Sequence, residues 1–310
     1  MDRQVKDPGN VSKKPRRRLR RIALAFVAVV LAVLYVKWRE ASNQGGQKPA
    51  DPFRIAGNLY YVGANDVTSF LLTGADGHVL IDGGYPGTPP LIMESIAKLG
   101  FDIRDVKILL NSHAHLDHAG GLAELQDASG AEVWVSEGDA DVLARGGAGG
   151  NFLGRFSFVT YLPFFRYPKP RVDHRFVDGD TIRLGDIELI AHVTPGHTPG
   201  CTTWEIPVDE VDHTLNVVAV CGLTPPAALS LEDNSEMEQD FEYTFKKLRS
   251  LHADVWVTTH ARHFGRWAKY QRSLEMDDPV QAFIDPQGYL DYIDAWERRF
   301  HETIADGQTE

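Results

Sequence analysis

The sequence is poor in cysteine, has no internal repeat and contains a single long apolar run. Its 310 residues include two cysteines, Cys201 and Cys221, which excludes a small scaffold held by several disulfides and a zinc site of four thiolates. The lack of repeats excludes a solenoid or a propeller. Beyond the apolar run, Ile22 to Val36, about 260 residues remain, enough for one sizeable core.

Positive charge is scarce outside the N-terminal segment. Residues 1–39 hold eleven Lys and Arg against two Asp and Glu, whereas the rest of the chain holds 21 against 41. Proteins that bind nucleic acid present basic grooves to the phosphate backbone. The acidity of this chain therefore argues against nucleic acid as a substrate or partner.

The first 52 residues predict a module separate from the rest. We expect a basic cytoplasmic segment at 1–21, a signal-anchor or signal peptide at 22–38, and a flexible linker at 39–52. The apolar helix would span about 22 Å, short of the ~30 Å hydrocarbon core, but flanking Arg, Lys and Trp side chains can cover the difference. No convincing cleavage site follows Val36, which favours an uncleaved anchor. We therefore expect a periplasmic domain anchored in the inner membrane, or one released into the periplasm after signal cleavage.

The most informative stretch runs from His113 to His118 and reads His-Ala-His-Leu-Asp-His, directly after an apolar strand. In extended chain, residues two apart point the same way, so His113 and His115 can reach one ion. The chain must then turn, because two glycines follow shortly, and Asp117 and His118 can face a second ion. Imidazole and carboxylate ligands suit zinc, with iron or manganese as alternatives.

Further histidines follow two other strand-like segments. His197 stands in a Pro/Gly turn after Ile187 to Ala191, and His260 ends the apolar segment that begins at Val255. Strand ends of this kind converge on one rim of a sheet assembly. Three ligands are then available for each of two ions, which leaves each ion the open position that catalysis requires. The first set is His113, His115 and His197; the second is Asp117, His118 and His260.

With these motifs the sequence resembles the metallo-β-lactamase superfamily. The H-A-H-L-D-H motif, the T-P-G-H-T-P-G turn and the final T-T-H match it, and the resemblance runs from about Phe53 to the C-terminal helix. The resemblance implies an α/β fold, an αββα sandwich of two mixed β-sheets flanked by helices, with a catalytic domain at residues 53–310. The sequence is most similar to the true metallo-β-lactamase subclass that holds its second zinc with Asp, His and His.

The strand end between the last two ligand histidines separates branches of the superfamily. Glyoxalase II and many lactonases have a bridging aspartate there, whereas this chain has Val220-Cys221-Gly222. The resemblance therefore implies a hydrolase with two Zn²⁺ per chain that opens the β-lactam ring of penicillins, cephalosporins or carbapenems through a metal-bound hydroxide. Asp117 would bind the second ion and orient the hydroxide. Such an enzyme would confer antibiotic resistance, act on a small molecule and be monomeric; the alternative is a hydrolase of a lactone or thioester.

Two residues are candidates for contacts behind the metal ligands. Asp82 ends an apolar strand and either accepts a hydrogen bond from a metal-bound imidazole or caps a local turn. Gly222 stands where the resembled subclass often has a serine near the second zinc, which puts that contact in doubt.

The two cysteines lie on neighbouring predicted strands. Cys221 could bind the second metal, as a cysteine does in other subclasses, but His118 already supplies that donor. A hairpin could bring Cys201 close to Cys221, yet a cross-strand disulfide is unusual, so we expect two free buried thiols.

Two aromatic-rich segments complete the sequence reading. Residues 146–170 contain glycines and seven Phe and Tyr, which are either an active-site wall or part of the core. The last helix begins at Asp285-Pro286, and its Tyr289, Ile293, Trp296 and Phe300 recur at helical spacing. This stripe predicts packing on the core.

Overall fold

The computed structural model describes residues 29, 32, 48–150, 154–225 and 235–307. Within that part of the chain, no helix is long and apolar enough to cross a membrane. The basic segment and most of the signal-anchor and linker predicted for residues 1–52 lie outside the described residues. Those boundaries, the export and the anchoring therefore stay predictions.

Twelve strands in the described ranges form two sheets. The first sheet has, in spatial order, β1 (Phe53–Ala56), β2 (Leu59–Tyr61), β3 (Phe70–Gly74), β4 (Gly77–Ile81), β5 (Val106–Leu110), β6 (Glu132–Ser136) and β7 (Val172–Phe176). The second sheet has, along the chain, β8 (Thr181–Leu184), β9 (Ile187–Val193), β10 (Thr202–Asp209), β11 (Thr214–Val220) and β12 (Val255–Thr258).

Both sheets are mixed. Strands β1 to β4 pair antiparallel, and β4 to β7 pair parallel. In the second sheet β8 to β11 pair antiparallel, and β12 joins β11 in parallel. Alternation along β4 shows why both faces of the first sheet are covered: Val79 and Ile81 belong to one apolar cluster, and Leu80 between them belongs to the other.

Helices cover the outer faces of the two sheets. Described α-helices are α1 (Pro89–Lys98), α2 (Leu116–Ala119), α3 (Leu122–Ser129), α4 (Glu137–Ala144), α5 (Ser235–Ser250), α6 (Arg266–Ser273) and α7 (Pro286–Gly307). Apolar residues of α1, α3 and α4 share a cluster with Leu80, and those of α5 and α7 share a cluster with the second sheet. The predicted αββα sandwich is confirmed.

The aromatic stripe on α7 packs on the core, as its spacing predicts. Tyr289, Ile293, Trp296 and Phe300 are all buried. Phe300 lies 4.6 Å from Phe241 of α5, measured between ring centroids, so the two outer helices are joined by apolar contact. Burial of each such side chain contributes about 1.5–3 kcal/mol.

The prediction of two free thiols is wrong, because Cys201 and Cys221 form a disulfide with a Cα–Cα distance of 5.9 Å. Strands β10 and β11 do form the predicted hairpin. However, the paired residues end at Trp204 and Ala219, so both cysteines lie beyond the ladder. The geometric objection to a bridge between directly opposed strand residues therefore does not apply to them.

We predict that the disulfide stabilises the fold measurably. The bridge closes a loop of 20 residues, which corresponds to about 3 kcal/mol of free energy of unfolding. Replacing both residues, Cys201→Ser with Cys221→Ser, should lower the free energy of unfolding in urea by about that amount. Thiol titration of the unreduced, denatured wild type should find no free thiol; a result of two thiols per chain contradicts the bridge.

Candidate metal centre

The six predicted ligands lie where strands end. His113 and His115 follow β5, His197 lies in the turn after β9, and His260 follows β12. The turn predicted after His115 is α2, a single helical turn that begins at Leu116 and carries Asp117 and His118. The structure therefore brings all six side chains to one rim, as the sequence predicts.

Three imidazoles form the first cluster. His197 Nε2 lies 3.1 Å from His113 Nε2 and 3.1 Å from His115 Nδ1. The three ring atoms lie within 4.8 Å of one another. Three basic nitrogens thus face one point.

Asp117 is the centre of the second cluster. Its Oδ2 lies 3.3 Å from His118 Nε2 and 3.5 Å from His260 Nε2. The centroids of the His118 and His260 rings are 5.2 Å apart. The centroid of the His113 ring lies 4.4 Å from that of His118, so the two clusters are adjacent.

Oxygen acceptors lie behind the imidazoles on the side away from the clusters. His197 Nδ1 donates to Thr224 O at 2.5 Å. His260 Nδ1 lies 3.2 Å from Asp66 Oδ2. A ring nitrogen that donates its hydrogen outward leaves the lone pair of the other nitrogen directed inward, which is the tautomer a metal requires.

Asp82 connects the two clusters, and the backbone N–H that it accepts from belongs to Ser112, 30 residues away, rather than to a local turn. Its Oδ2 lies 3.2 Å from His118 Nδ1 and accepts a hydrogen bond from Ser112 Oγ at 2.6 Å. Ser112 Oγ in turn lies 3.1 Å from His113 Nδ1 and is free to accept from it. Asp82 Oδ1 accepts from the backbone N–H of Ser112 at 2.7 Å. The residue has φ +65°, an unfavourable conformation for a residue other than glycine, at a place where the carboxylate orients two rings.

Burial and neighbouring charges shift the pKa values of the cluster residues in opposite directions. Burial lowers the pKa of His197 to about 4 and that of His113 well below its usual value. Burial also lowers the pKa of His118, but the charges and hydrogen bonds of Asp117 and Asp82 outweigh it and raise this pKa to about 10. The pKa of Asp117 lies well below its usual value, because His118 and His260 outweigh the effect of its burial.

The donor set fits zinc. Zn–N bonds of 2.0–2.1 Å in a tetrahedral site place two ligand nitrogens roughly 3.4 Å apart, close to the 3.1 Å between His197 Nε2 and its two neighbours. Because His197 Nδ1 donates to the Thr224 carbonyl, its Nε2 presents a lone pair toward His113 and His115. The second cluster offers two nitrogens and a carboxylate oxygen, also zinc ligands.

Asp139 cross-links the two loops that carry the first cluster, and the sequence did not single it out. The buried carboxylate accepts from the backbone N–H of Ala114 at 2.8 Å, from Thr198 Oγ1 at 2.8 Å and from the backbone N–H of Gly200 at 2.9 Å. Burial raises its pKa, although these hydrogen bonds oppose the change. One side chain therefore ties the His113–His118 loop to the turn that holds His197.

Gly222 lies directly against His197. A Cβ at this position would come 2.7 Å from Cδ2 of the His197 ring, closer than real Cβ atoms approach. The serine of the resembled subclass would require the His197 ring or the local backbone to shift. Gly222 is thus needed for this ring position, and the serine-type contact is absent.

The segment 146–170 borders the centre through Tyr167. This residue is buried, and its hydroxyl donates to the carbonyl of Ala114 at 2.9 Å. Phe158 and Tyr161 are exposed. Tyr167 is therefore part of the core beside the ligand loop, whereas the active-site wall expected from the other aromatic residues stays a prediction.

A family model supports what this geometry indicates. Residues 62–279 match the model of the metallo-β-lactamase superfamily. The chain belongs to the metallo-β-lactamase superfamily. Hydrolases that use zinc are typical of this family, and the histidine-rich clusters described above fit that chemistry.

The solved structures that match this chain include true metallo-β-lactamases. Native FEZ-1 metallo-β-lactamase from Legionella gormanii is 34% identical, with a TM-score of 0.79, over 85% of this chain and 99% of that chain. BJP-1, a subclass B3 metallo-β-lactamase of Bradyrhizobium japonicum, is 31% identical, with a TM-score of 0.78, over 86% and 98%. The predicted likeness to true metallo-β-lactamases is confirmed.

Curated relatives have other activities. A hydroxyacylglutathione hydrolase from Jannaschia sp. is 25% identical over 62% of this chain and 61% of its own length. An N-acyl homoserine lactonase from Rhizobium radiobacter is 29% identical over 43% and 57%. The chain thus spans less than two thirds of the length of these relatives, and their activities do not transfer to it directly.

Sequence reasoning missed the acceptors that are distant along the chain. Asp66 and Asp139 lie 194 and 58 residues from the histidines that they help to place, His260 and His197. No local pattern marks such a carboxylate, since each lies among ordinary polar residues. Asp82 was found because it ends an apolar strand, the one signal available.

We predict that the two clusters bind metal with different pH dependence. In the metal-free protein, His118, with a pKa of about 10, must lose a proton before its Nε2 can bind an ion. Affinity for the second ion should therefore rise about tenfold per pH unit over roughly pH 6 to 9, as expected for release of one proton. His197 is already neutral there, so the first ion should depend less on pH. Zinc titration against a chelator at several pH values measures both; equal slopes contradict the assignment.

We predict that Gly222→Ala weakens the first ion. The added methyl would displace the His197 ring from its partners, and affinity for the first zinc should fall about 10–100-fold. Gly130→Ala is the control, because Gly130 has φ +74° but open space around its Cβ position, so it strains the backbone without touching a ligand. Zinc content after dialysis distinguishes the variants; equal loss in both shows that general destabilisation is the cause.

Proposed function

We propose that this protein is a zinc-dependent β-lactamase that opens the β-lactam ring with two zinc ions per chain. His113, His115 and His197 would hold the first ion, and Asp117, His118 and His260 the second. When bound, zinc supplies Lewis acidity and lowers the pKa of a water ligand to about 7, so that a nucleophile is available at neutral pH.

One observation carries the choice of substrate. Strand β11 ends at Val220 and is followed by Cys221, Gly222 and Leu223, so no carboxylate stands between the two clusters at this strand end. Cys221 is held in the disulfide, and Gly222 lies against His197. The similarity to solved metallo-β-lactamases over 98–99% of their length supports the same substrate class.

The chain's own residues prepare the reaction by orientation. Asp82 holds His118 directly and His113 through Ser112. The Thr224 carbonyl holds His197. The low pKa of Asp117 keeps its carboxylate charged at neutral pH, so it can bind a cation and accept a hydrogen bond from the attacking water. We infer that Asp117 orients the nucleophile.

A lactone or thioester is the second candidate substrate. The N-acyl homoserine lactonase and the hydroxyacylglutathione hydrolase support it by sequence similarity over part of their lengths. The described residues directly after β11, Cys221 to Leu223, carry no carboxylate that could serve as the bridging ligand of those branches, which disfavours this candidate.

We predict that zinc-replete protein hydrolyses a chromogenic cephalosporin, a penicillin or a carbapenem. Chelator should abolish the activity, and added zinc should restore it. Asp117→Ala should lower kcat/KM by at least about 100-fold, as expected for removal of a metal ligand that also orients the nucleophile. His252→Ala is the control, because 76% of the His252 side chain is exposed and its ring pairs with Asp254, outside the ligand set.

The same preparation should be tested on a homoserine lactone and a glutathione thioester. Slow or absent turnover of both supports the lactamase. Ready cleavage of either, with all three classes of lactam left intact, overturns the proposal in favour of the second candidate.

A further inference from the structure

The loop between β2 and β3 is joined to the turn that carries His260. The backbone N–H of Ala261 donates to Asp66 O at 2.7 Å, and that of Thr68 donates to Thr259 O at 3.2 Å. Thr68 Oγ1 also donates to Thr258 O at 3.0 Å. The backbone on both sides of His260 is thus held by one loop.

The Asp66 side chain reaches the His260 ring from this loop. Its Oδ2 lies 3.2 Å from His260 Nδ1, on the side of the ring away from Asp117. Its Oδ1 accepts from the backbone N–H of Arg262 at 3.2 Å, and Arg262 Nη1 also contacts Oδ2. The side chain of Asp66 is 15% exposed and that of Arg262 is 60% exposed, so the carboxylate lies inside and the guanidinium covers it.

The loop contacts the buried side chains of Tyr61 and Arg266. The Tyr61 hydroxyl donates to the carbonyl of Ala64. Arg266 lies 4.5 Å from the centroid of the Tyr61 ring and 3.6 Å from that of Trp267, and its Nη2 donates to Asn65 O at 3.4 Å. Asp66 therefore projects from a loop with little freedom to move.

We propose that Asp66 is the positioning residue for His260, that Arg262 acts through Asp66 by orienting its carboxylate, and that this pair sets the affinity of the second metal ion. The inference rests on the proposed second ion but not on the identity of the substrate. A carboxylate that accepts from the outer nitrogen of a ligand imidazole fixes the tautomer and the ring orientation, and makes the inner nitrogen a stronger donor.

The test measures metal affinity, using Zn²⁺ and Co²⁺ alone as probes. Asp66→Ala should weaken the second ion 10–100-fold, the range observed when such outer partners are removed. Asp66→Asn keeps an oxygen acceptor without charge, so it should recover part of the loss. The first ion, held by His113, His115 and His197, should change less than about twofold, because none of these residues contacts Asp66 in the hydrogen bonds above. The Co²⁺ absorption spectrum reports each site separately.

A double-mutant cycle tests whether Arg262 acts on the second ion through Asp66. Arg262→Ala should weaken the second ion about three- to tenfold in the wild type and should have no further effect in the Asp66→Ala background. An effect of Arg262→Ala that persists without Asp66 overturns the claim that Arg262 acts through it.

Glu210→Gln is the matched control. Glu210 is 14% exposed, binds Arg54 and accepts from the backbone N–H of Gly57. Like Asp66, Glu210 is a carboxylate that contacts an arginine and accepts from a backbone N–H. It follows the C-terminal end of β10, roughly 25 Å along that strand from the metal centre. This variant should leave both ions unchanged, and the unfolding midpoints of the metal-free variants show whether any loss is structural.

The outcomes separate this inference from the proposed function. A wild type that binds two ions, together with an Asp66→Ala variant that binds the second ion more weakly, supports the inference, even if no lactam is hydrolysed. Unchanged binding, equal weakening of both ions, or a wild type that binds a single ion overturns it, whatever the activity.

Discussion

The centre depends on one constraint: the inward ring nitrogens must present their lone pairs to a common position, which requires each ring to carry its hydrogen on the outer nitrogen. The protein satisfies this by giving outer ring nitrogens an oxygen to donate to. Thr224 does so for His197, Asp82 for His118 and Asp66 for His260. Because these acceptors come from three different loops, the ligand geometry is a property of the whole domain rather than of its motifs.

The sandwich fold makes this possible by ending ligand-bearing strands of both sheets at one rim. Strand β5 of the first sheet and strands β9 and β12 of the second deliver the six donors. The carboxylate of Asp139 links two of the loops, the one after β5 and the one after β9, by hydrogen bonds to both. Burial around the centre keeps His113 and His197 neutral, while the charge of Asp117 favours the protonated form of the metal-free His118.

Much of this could be predicted from the sequence, since ligands that follow strands carry a local signature and helical stripes such as that of α7 have a period. The Cys201–Cys221 bridge was missed because pairing depends on where a ladder ends, which hydrophobic pattern does not determine to one residue. Asp66 was missed because its partner, His260, is 194 residues away. Contacts between distant loops depend on tertiary packing, and a single sequence carries no record of it.

The most direct measurement is zinc-edge anomalous diffraction from crystals of the protein grown with excess zinc. Two peaks are expected, the first bonded to His113, His115 and His197 and the second to Asp117, His118 and His260, at about 2.0–2.2 Å from each donor atom. A single peak, or a second peak whose ligands exclude Asp117 or His260, would contradict the account.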